Sequence, residues 1–586
     1  MNAGDRATAA IARGDLITAY DETISAIAEG DSSSAIRHQQ VLAVARMGDT
    51  DRAMLLFQTY GLDRSEDVHQ RTIGARLLKD RALDLPPGPE RDAALETAFD
   101  TYRALFEDSG DPYPGINAAS LAALAGRGDD ARVIAARILA HPHVIHPQDY
   151  YTAATRAEAL LIQGQVEAAA DALIQAAAMI GNDAGARSTT CRQIALVARH
   201  LGLDDAAIDH LLAAVRPPRA IHFCGHIFAA DPVREGALRA EIDAYLTQEN
   251  IGFAYGALAA GGDILIAEAI LALGGELHVV LPFAVEDFIA QSVRPAGEAW
   301  VERFEHCMAA AASRTLATEM VYVGDPEQYS YSSRVAMGLA ILRAQHLGNA
   351  PEQFALWDGV LTGGPAGTGA DVATWRAQGG GTHSIDPGRV DRTLTRPPAQ
   401  GAGEHERALA AIIFTDFPGF SRLTEAVLPI FWDGVMRRIA DVLDQHEGKV
   451  LCRNSWGDAL YAVASSAAGA AEIALALQSR LREFDYGTIG LADSGGMRIG
   501  VHYGPAYRMF DHITGRMNFY GTEVSRAARI EPVTPPGTVF VTEPFAAILA
   551  LEAPDDFQCR YVGRIELAKG YGTYPMYRLT RVRASQ

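Results

Sequence analysis

Glycine recurs through the first 215 residues at a spacing that one globular core would not impose. Gly14 to Gly48 is 34 residues, Gly128 to Gly164 is 36 and Gly164 to Gly202 is 38. Between these glycines, alanine-rich runs such as AAIARGDLITAY and LLIQGQVEAAADALIQAAAMI put apolar residues at helical spacing. A helical pair of that length cannot bury its apolar stripe alone, so neighbouring pairs must stack. Residues 1–215 are therefore expected to form an α-helical repeat array, with a surface for a protein partner and no chemistry of its own.

The period is that of tetratricopeptide repeats, which this region resembles. The rhythm breaks between Gly48 and Gly128, where the chain passes through LDLPPGPE and DPYPG. From 216 to 360 the character changes. RAIHFCGH and ELHVVLPF read as short apolar strands, alternating with helical stretches such as PVREGALRAEIDAYL. Alternation of this kind predicts a parallel sheet. Gly256, Gly261 and Gly262 fall at turns where such folds offer helix N-termini to anions. The pattern resembles Rossmann-like nucleotide-sensing domains of the lysine-decarboxylase-like type, which implies a small-molecule or nucleotide ligand. His222, Cys224 and His226 alternate and would share one strand face, but no fourth metal ligand accompanies them.

Residues 361–403 hold 14 Gly or Pro in 43 positions, a composition expected of a linker. Beyond it lies a unit at 404–582. A strand candidate, Ala408–Thr415, runs into Asp416 and a glycine turn, IIFTDFPGFSRL. Then come KVLCRNSWGDALYAV, a hairpin with Asp458 in its turn, MRIGVHYGP, a further strand, and the helix of YGTEVSRAARI. The order is strand, helix, hairpin, helix, strand, a ferredoxin-like α+β pattern. The fold class is thus multidomain, α and α/β.

Five segments in this unit, DFPGF, NSWGD, RIGVHYGP, YGTEVSRAAR and AKGYGTYPMYRL, occur in the order of the class III adenylate and guanylate cyclase catalytic domain. The C-terminal unit resembles that family. The resemblance implies a lyase that closes a nucleoside triphosphate into its 3′,5′-cyclic monophosphate and releases pyrophosphate. Asp416 and Asp458, with the backbone carbonyl of Phe417, match the family's ligands for two Mg²⁺ or Mn²⁺ ions, for which hard oxygen donors are suited. Pro418, Gly419 and Phe420 match the backbone that faces the phosphates, and Lys569 the lysine that pairs with the terminal ones. Arg529 matches the transition-state arginine, whose planar guanidinium suits a charged pentavalent phosphorus. Ser525 stands where the family usually has the asparagine that orients the ribose. Asn454 and Asn518 occupy the base-reading positions; an amide offers the donor and acceptor that adenine's edge needs, so ATP is favoured, while GTP and pyrimidine triphosphates stay open. Family active sites form between two domains, each giving one half, so the resemblance implies that this single copy, which carries both halves, pairs as a head-to-tail homodimer. The segment YRMFDHITGRMN would be its reaching arm, or an ordinary hairpin. A degenerate domain serving as a nucleotide-binding scaffold is the alternative from another class.

Composition narrows the setting. With 51 basic and 72 acidic residues the net charge is −21, which opposes general nucleic-acid binding. Five scattered cysteines make no disulfide framework, no apolar run is long enough to span a membrane, and the start MNAGDRATAA lacks a secretory signal. A soluble, cytoplasmic protein is expected.

Overall fold

The computed structural model describes residues 2–318, 320–361, 363–388, 390, 407–491 and 496–582. Two compact units emerge, one of residues 1–217 with 346–349, the other of 218–345 and 350–582.

The first unit is helical throughout, from Ala3–Ala12 to Asp205–Leu212. Its repeat turns are built alike. At Gly14, Gly48, Gly126, Gly164 and Gly202 the backbone has φ between 70° and 84°. The next residue's N–H bonds back five positions, as in Asp15 to Ala10 (2.9 Å), Arg127 to Ala122 (2.8 Å) and Gln165 to Leu160 (2.9 Å). This is the helix-ending motif that needs a left-handed residue, hence glycine. The glycine that does this work near position 128 is Gly126; Gly128 itself opens the next helix, Gly128–Leu139. The corrected spacing from Gly126 to Gly164 is 38 residues, equal to Gly164 to Gly202.

The second unit contains two sheets. Strands β1 (Arg219–Gly225), β2 (Ile251–Gly256), β3 (Glu276–Leu281), β4 (Ser313–Leu316), β5 (Glu352–Leu356) and β6 (Thr382–Ile385) form a wholly parallel sheet. Its order is β4-β3-β2-β1-β5-β6, so the winding reverses between β1 and β5. The inner strands β1, β2, β3 and β5 are mostly buried, as in a parallel sheet covered by helices, while the edge strands β4 (SRTL) and β6 (THSI) are polar and largely exposed.

Here the linker expectation needs correction. Residues 361–388 carry a helix, Thr368–Ala377, and strand β6, which pairs with β5. The ten-residue segment TGADVATWRA is anchored by Trp375, which is 3% exposed and donates to the Gly381 carbonyl at 2.9 Å. Glycine averaged over 43 residues concealed it. The remainder of the expected linker, 391–403, lies outside the described residues.

Strands β7 (Arg407–Asp416), β8 (Val450–Trp456), β9 (Ala459–Ala464), β10 (Arg498–Asp511), β11 (Arg516–Tyr520), β12 (Val539–Thr542), β13 (Phe557–Glu566) and β14 (Thr573–Arg581) make the second sheet. The run β10-β7-β9-β8 is antiparallel at every step, which is the ferredoxin-like arrangement, and β12, β14 and β13 extend it. Helix Glu327–Leu347 of the parallel-sheet region packs against this second sheet's domain. The Tyr331 hydroxyl donates to the carbonyl of Tyr503 at 2.8 Å, and a Cβ added to Gly338 would lie 1.9 Å from the carbonyl oxygen of Ala547. All five cysteines are free, and no described helix is long and apolar enough to cross a membrane.

Candidate active site

The strand geometry brings two carboxylates together. Asp416 is the last residue of β7, and Asp458 sits in the two-residue turn of the β8–β9 hairpin. The backbone N–H of Phe417 donates to Asp458 Oδ2 at 3.0 Å, fixing the hairpin tip beside the end of β7. Burial, and then the charge of Asp416, push Asp458 up to about 6, against the pull of the Phe417 N–H. Two carboxylates that raise the cost of each other's charge suit a cation between them. The Phe417 carbonyl, which accepts one bond from the Phe420 N–H at 3.2 Å, retains a second lone pair. These are hard oxygen donors, and they fit a divalent ion of the Mg²⁺ type. Among the described residues no group of three His, Cys, Asp or Glu converges, so water or substrate oxygens would have to complete any such site.

The sequence reading missed the basic partner of this pair. Arg498 opens β10 directly opposite Asp416 in the antiparallel register, and its guanidinium is ion-paired with Asp416. Its Nε lies 2.7 Å from Glu531 Oε1. Burial pushes Glu531 up to about 7, with Arg498 opposing and Asp416 adding to the shift. The signal was present in RIGVHYGP, but strand pairing alone reveals that its arginine faces the acid.

The phosphate loop differs in detail from expectation. Pro418 has no N–H to give, and that of Phe420 is spent on Phe417. Phe420–Arg422 is a single tight turn, not the start of a helix. Gly419 supplies the remaining N–H at φ 91°, and a Cβ there would lie 2.6 Å from the Arg422 guanidinium. Arg422 therefore lies against the loop as a further cation.

The second cluster is on helix Thr522–Ile530. Ser525 and Arg529, four residues apart, share its outward face, while Glu523, Arg526, Ala527 and Ile530 are buried. The buried face is fixed by a polar chain. Glu523 Oε2 takes bonds from Arg526 (2.8 Å) and His502 Nε2 (2.7 Å), His502 Nδ1 meets Thr542 Oγ1 at 2.7 Å, and Arg526 lies over the Tyr574 ring. Burial lowers His502; burial raises Glu523, but His502 and Arg526 outweigh it and leave that carboxyl below its ordinary value. Lys569 is exposed at the β13–β14 turn with φ 64°, and the adjacent Ala568 N–H bonds the Arg529 carbonyl at 3.3 Å. That bond holds the Lys569 turn against the end of the arginine helix.

Asn454 and Asn518 line one cavity of about 520 Å³, with Cys452, Arg453 and Arg516. Asn518 is well occupied: its oxygen accepts from Phe519 N–H (2.8 Å) and Cys452 Sγ (3.3 Å), and its amide nitrogen faces Tyr520 (3.2 Å) and Asp511 (3.5 Å). Asn454 uses its oxygen on the Ser455 N–H at 2.9 Å. Among the described residues, no hydrogen bond or ion pair joins Asp416 or Asp458 to Ser525, Arg529 or Lys569. Arg498, paired with both Asp416 and Glu531, links the acid pair to the short turn Glu531–Val533 that follows the arginine helix. The β10–β11 hairpin exposes Phe510 (51%), Ile513 (96%) and Met517 (42%).

Residues 404–581 match the family described as the adenylate and guanylate cyclase catalytic domain, and residues 15–122 match the family described as Tetratricopeptide Repeats-Sensor. The C-terminal domain is accordingly a class III nucleotide cyclase catalytic domain, preceded by tetratricopeptide-type repeats. Among solved structures, the adenylyl cyclase CyaB from P. aeruginosa is 16% identical, with 30% of this chain and 96% of that chain covered and a TM-score of 0.26. An adenylate cyclase from Trypanosoma brucei is 23% identical over 30% and 90%, with a TM-score of 0.27. The guanylate cyclase domain of RhGC from Catenaria anguillulae, solved with GTP, is 18% identical over 30% and 98%, with a TM-score of 0.26. No curated protein matches the chain.

Proposed function

We propose that this protein is a regulated nucleotide cyclase that converts ATP to 3′,5′-cyclic AMP and pyrophosphate at sites formed between two copies of its C-terminal domain, residues 404–582. The observation that carries this reading is the match of residues 404–581 to the adenylate and guanylate cyclase catalytic domain, together with the meeting of Asp416 and Asp458 at the end of β7 and the tip of the β8–β9 hairpin. A head-to-tail pair of such domains would bring Asp416 and Asp458 of one copy to Ser525, Arg529 and Lys569 of the other, twice. The exposed apolar tip of the β10–β11 hairpin supports this, because Ile513 is 96% exposed among the described residues.

In this reading Asp416, Asp458 and the Phe417 carbonyl hold two Mg²⁺ or Mn²⁺ ions. Bound there, the metal would lower the pKa of the 3′-hydroxyl and offset phosphate charge. Gly419, Arg422 and Lys569 hold the phosphates, and Arg529 stabilises charge developing at the α-phosphate. Ser525 orients the ribose. Asn454 and Asn518 read the base; their amides suit adenine, and Asn518 must give up part of its present bonding to do so. The helical repeats bind a protein, and the parallel-sheet domain binds a small ligand. The protein acts in the cytoplasm.

Incubation of the full chain with Mn²⁺ and each of the four nucleoside triphosphates, with products identified by mass spectrometry, tests the proposal. Cyclic AMP as the main product, lost in Asp416→Ala and Asp458→Ala, is expected. A cyclic GMP or pyrimidine product would overturn the base assignment alone. Tight nucleotide binding without any cyclic product would favour the scaffold reading instead.

A further inference from the structure

The helical unit gathers more positive charge at its centre than its own carboxylates neutralise. Five alternate helices, Ser34–Arg46, Val68–Leu83, Pro112–Leu124, Tyr150–Ile162 and Ala184–His200, contribute to this centre. Arg46, at the end of the first of these, feels Arg76 from the second, Tyr113 from the third, Tyr151 from the fourth and Asp183, which caps the fifth. A Cβ on Gly185, at the start of the fifth, would lie 3.3 Å from Arg46 Nη1 and 2.3 Å from the carbonyl oxygen of Ile11 in helix Ala3–Ala12. Helix Ala3–Ala12 thus abuts Ala184–His200, and the helices close around a common centre. Water reaches that centre: Tyr113 is 39% exposed and Tyr151 58%, although the surrounding protein raises both phenols. Side chains that are both wet and crowded belong to a concave wall.

Four cations gather there, and one of them has an acid for a partner. Arg76 Nε lies 3.4 Å from Asp80. Arg46 Nε is buried without a hydrogen-bond partner among the described residues. Lys79 Nζ donates to two neutral amides, Asn117 Oδ1 at 3.0 Å and Gln193 Oε1 at 3.1 Å. Arg192, on the exposed side, donates to Ser188 Oγ at 2.8 Å and to the His346 carbonyl at 3.0 Å. Burial lowers all three, Arg46 to about 10, which leaves its guanidinium ionised at neutral pH. The remaining carboxyls are engaged elsewhere. Glu158 accepts from Gln193 at 2.7 Å and from Ser120, Asp183 accepts from the Ala186 N–H at 2.7 Å, and burial raises both. Cations withdrawn from water without a counter-charge are costly, and an anion from solution relieves that cost.

The wall favours a compact anion over a peptide. Side-chain amides that could hold an extended backbone are already used: Asn117 bonds Lys79 and the Tyr113 carbonyl (3.0 Å), and Gln193 bonds Lys79 and Glu158. Guanidinium forks and an ammonium point charge suit phosphate oxygens. We propose that the centre of the helical unit is a binding site for a phosphate-bearing small molecule, held by Arg46, Lys79 and Arg192 beside Tyr113 and Tyr151. The inference rests on the helical unit alone and does not require the cyclase reading.

Titration calorimetry on the full chain in EDTA, with inorganic phosphate, pyrophosphate and AMP against citrate and a hexaglutamate peptide, tests the site without any turnover. Saturable binding of at least one phosphate compound is expected. It should be at least tenfold weaker in Arg46→Met and in the exposed Arg192→Gln, and unchanged in Arg529→Ala, with circular dichroism verifying that the variants are folded. No phosphate binding at millimolar concentration, or equal binding by folded Arg46→Met and Arg192→Gln, would overturn the proposal. So would tighter binding of citrate or the peptide than of every phosphate compound, or binding lost in Arg529→Ala alone, which would place the phosphate in the C-terminal domain.

Discussion

Replacing Asp263 with asparagine should stabilise the protein, and the gain should depend on pH. Burial pushes the Asp263 carboxyl up from 3.8 to about 7, against the pull of the Ala259 and Gly225 backbone. The folded chain thus holds this proton more tightly than the unfolded chain does. The stability so gained is complete below pH 3.8 and is lost as pH rises through about 7. The interval from 3.8 to about 7 makes the ionised form about 4 kcal/mol more costly in the fold. Asparagine has nearly the same volume, stays neutral, and keeps an oxygen for the Ala259 N–H. The variant should therefore exceed the wild type by about 4 kcal/mol at pH 8, and by about one to two at pH 5, where part of the pH-linked difference has not yet accrued. Denaturant unfolding at both pH values, followed by tryptophan fluorescence, measures the difference. Asp371 is also pushed up to about 7, by burial and, less, by the charge of Asp263, with Ser333 and Arg334 opposing; its asparagine variant should behave alike, and the double variant should gain less than the two singles together. An Asp263→Asn protein no more stable than the wild type at pH 8, or a gain that does not change with pH, would refute the reasoning. Acids kept at such a cost fit a binding role better than a structural one.

Glu523→Leu should cost about 3–5 kcal/mol, because it strands the buried Arg526 and His502 without their acceptor; an unchanged Tm in calorimetry would contradict this. Gly338→Val should cost about 1–3 kcal/mol or more by driving a side chain into the Ala547 backbone, and thermal unfolding would detect it. Ile513→Asp should leave Tm unchanged while weakening the dimer, read by light scattering and by activity that falls on dilution; dilution behaviour identical to wild type would argue against the hairpin as the reaching arm. Since Asp458 is raised to about 6 by burial and by Asp416, protons should compete with a divalent ion there, so Mn²⁺ affinity without nucleotide should be weaker at about pH 5 than at about pH 7.5. Equal affinity at both pH values in titration calorimetry would count against Asp458 as a metal ligand.

Much of the architecture was legible because it rests on local rules. Helical periodicity and turn glycines are short-range signals, and only the anchor at Gly126, in place of Gly128, needed the backbone to decide it. The catalytic segments were legible because each carries its residue types within a few positions. What escaped was pairing across distance. Arg498 is 82 positions from Asp416, and only the β7–β10 register sets them face to face. The buried His502–Glu523–Arg526 chain depends in the same way on a helix lying over a strand. The linker expectation failed for the opposite reason, since a composition average over 43 residues cannot see one buried tryptophan.

By itself, the sequence determined a helical repeat array, a parallel sheet and a cyclase catalytic domain, because period, turn chemistry and short motifs are properties of neighbouring residues. Tertiary structure alone decided that Asp416 and Asp458 meet, with Arg498 across the strand from Asp416. It alone decided, too, that Asp263 and Asp371 lie buried around one cavity of the middle domain. Those are matters of which N–H groups are already bonded and which charges face each other across the fold, and no spacing along the chain encodes them.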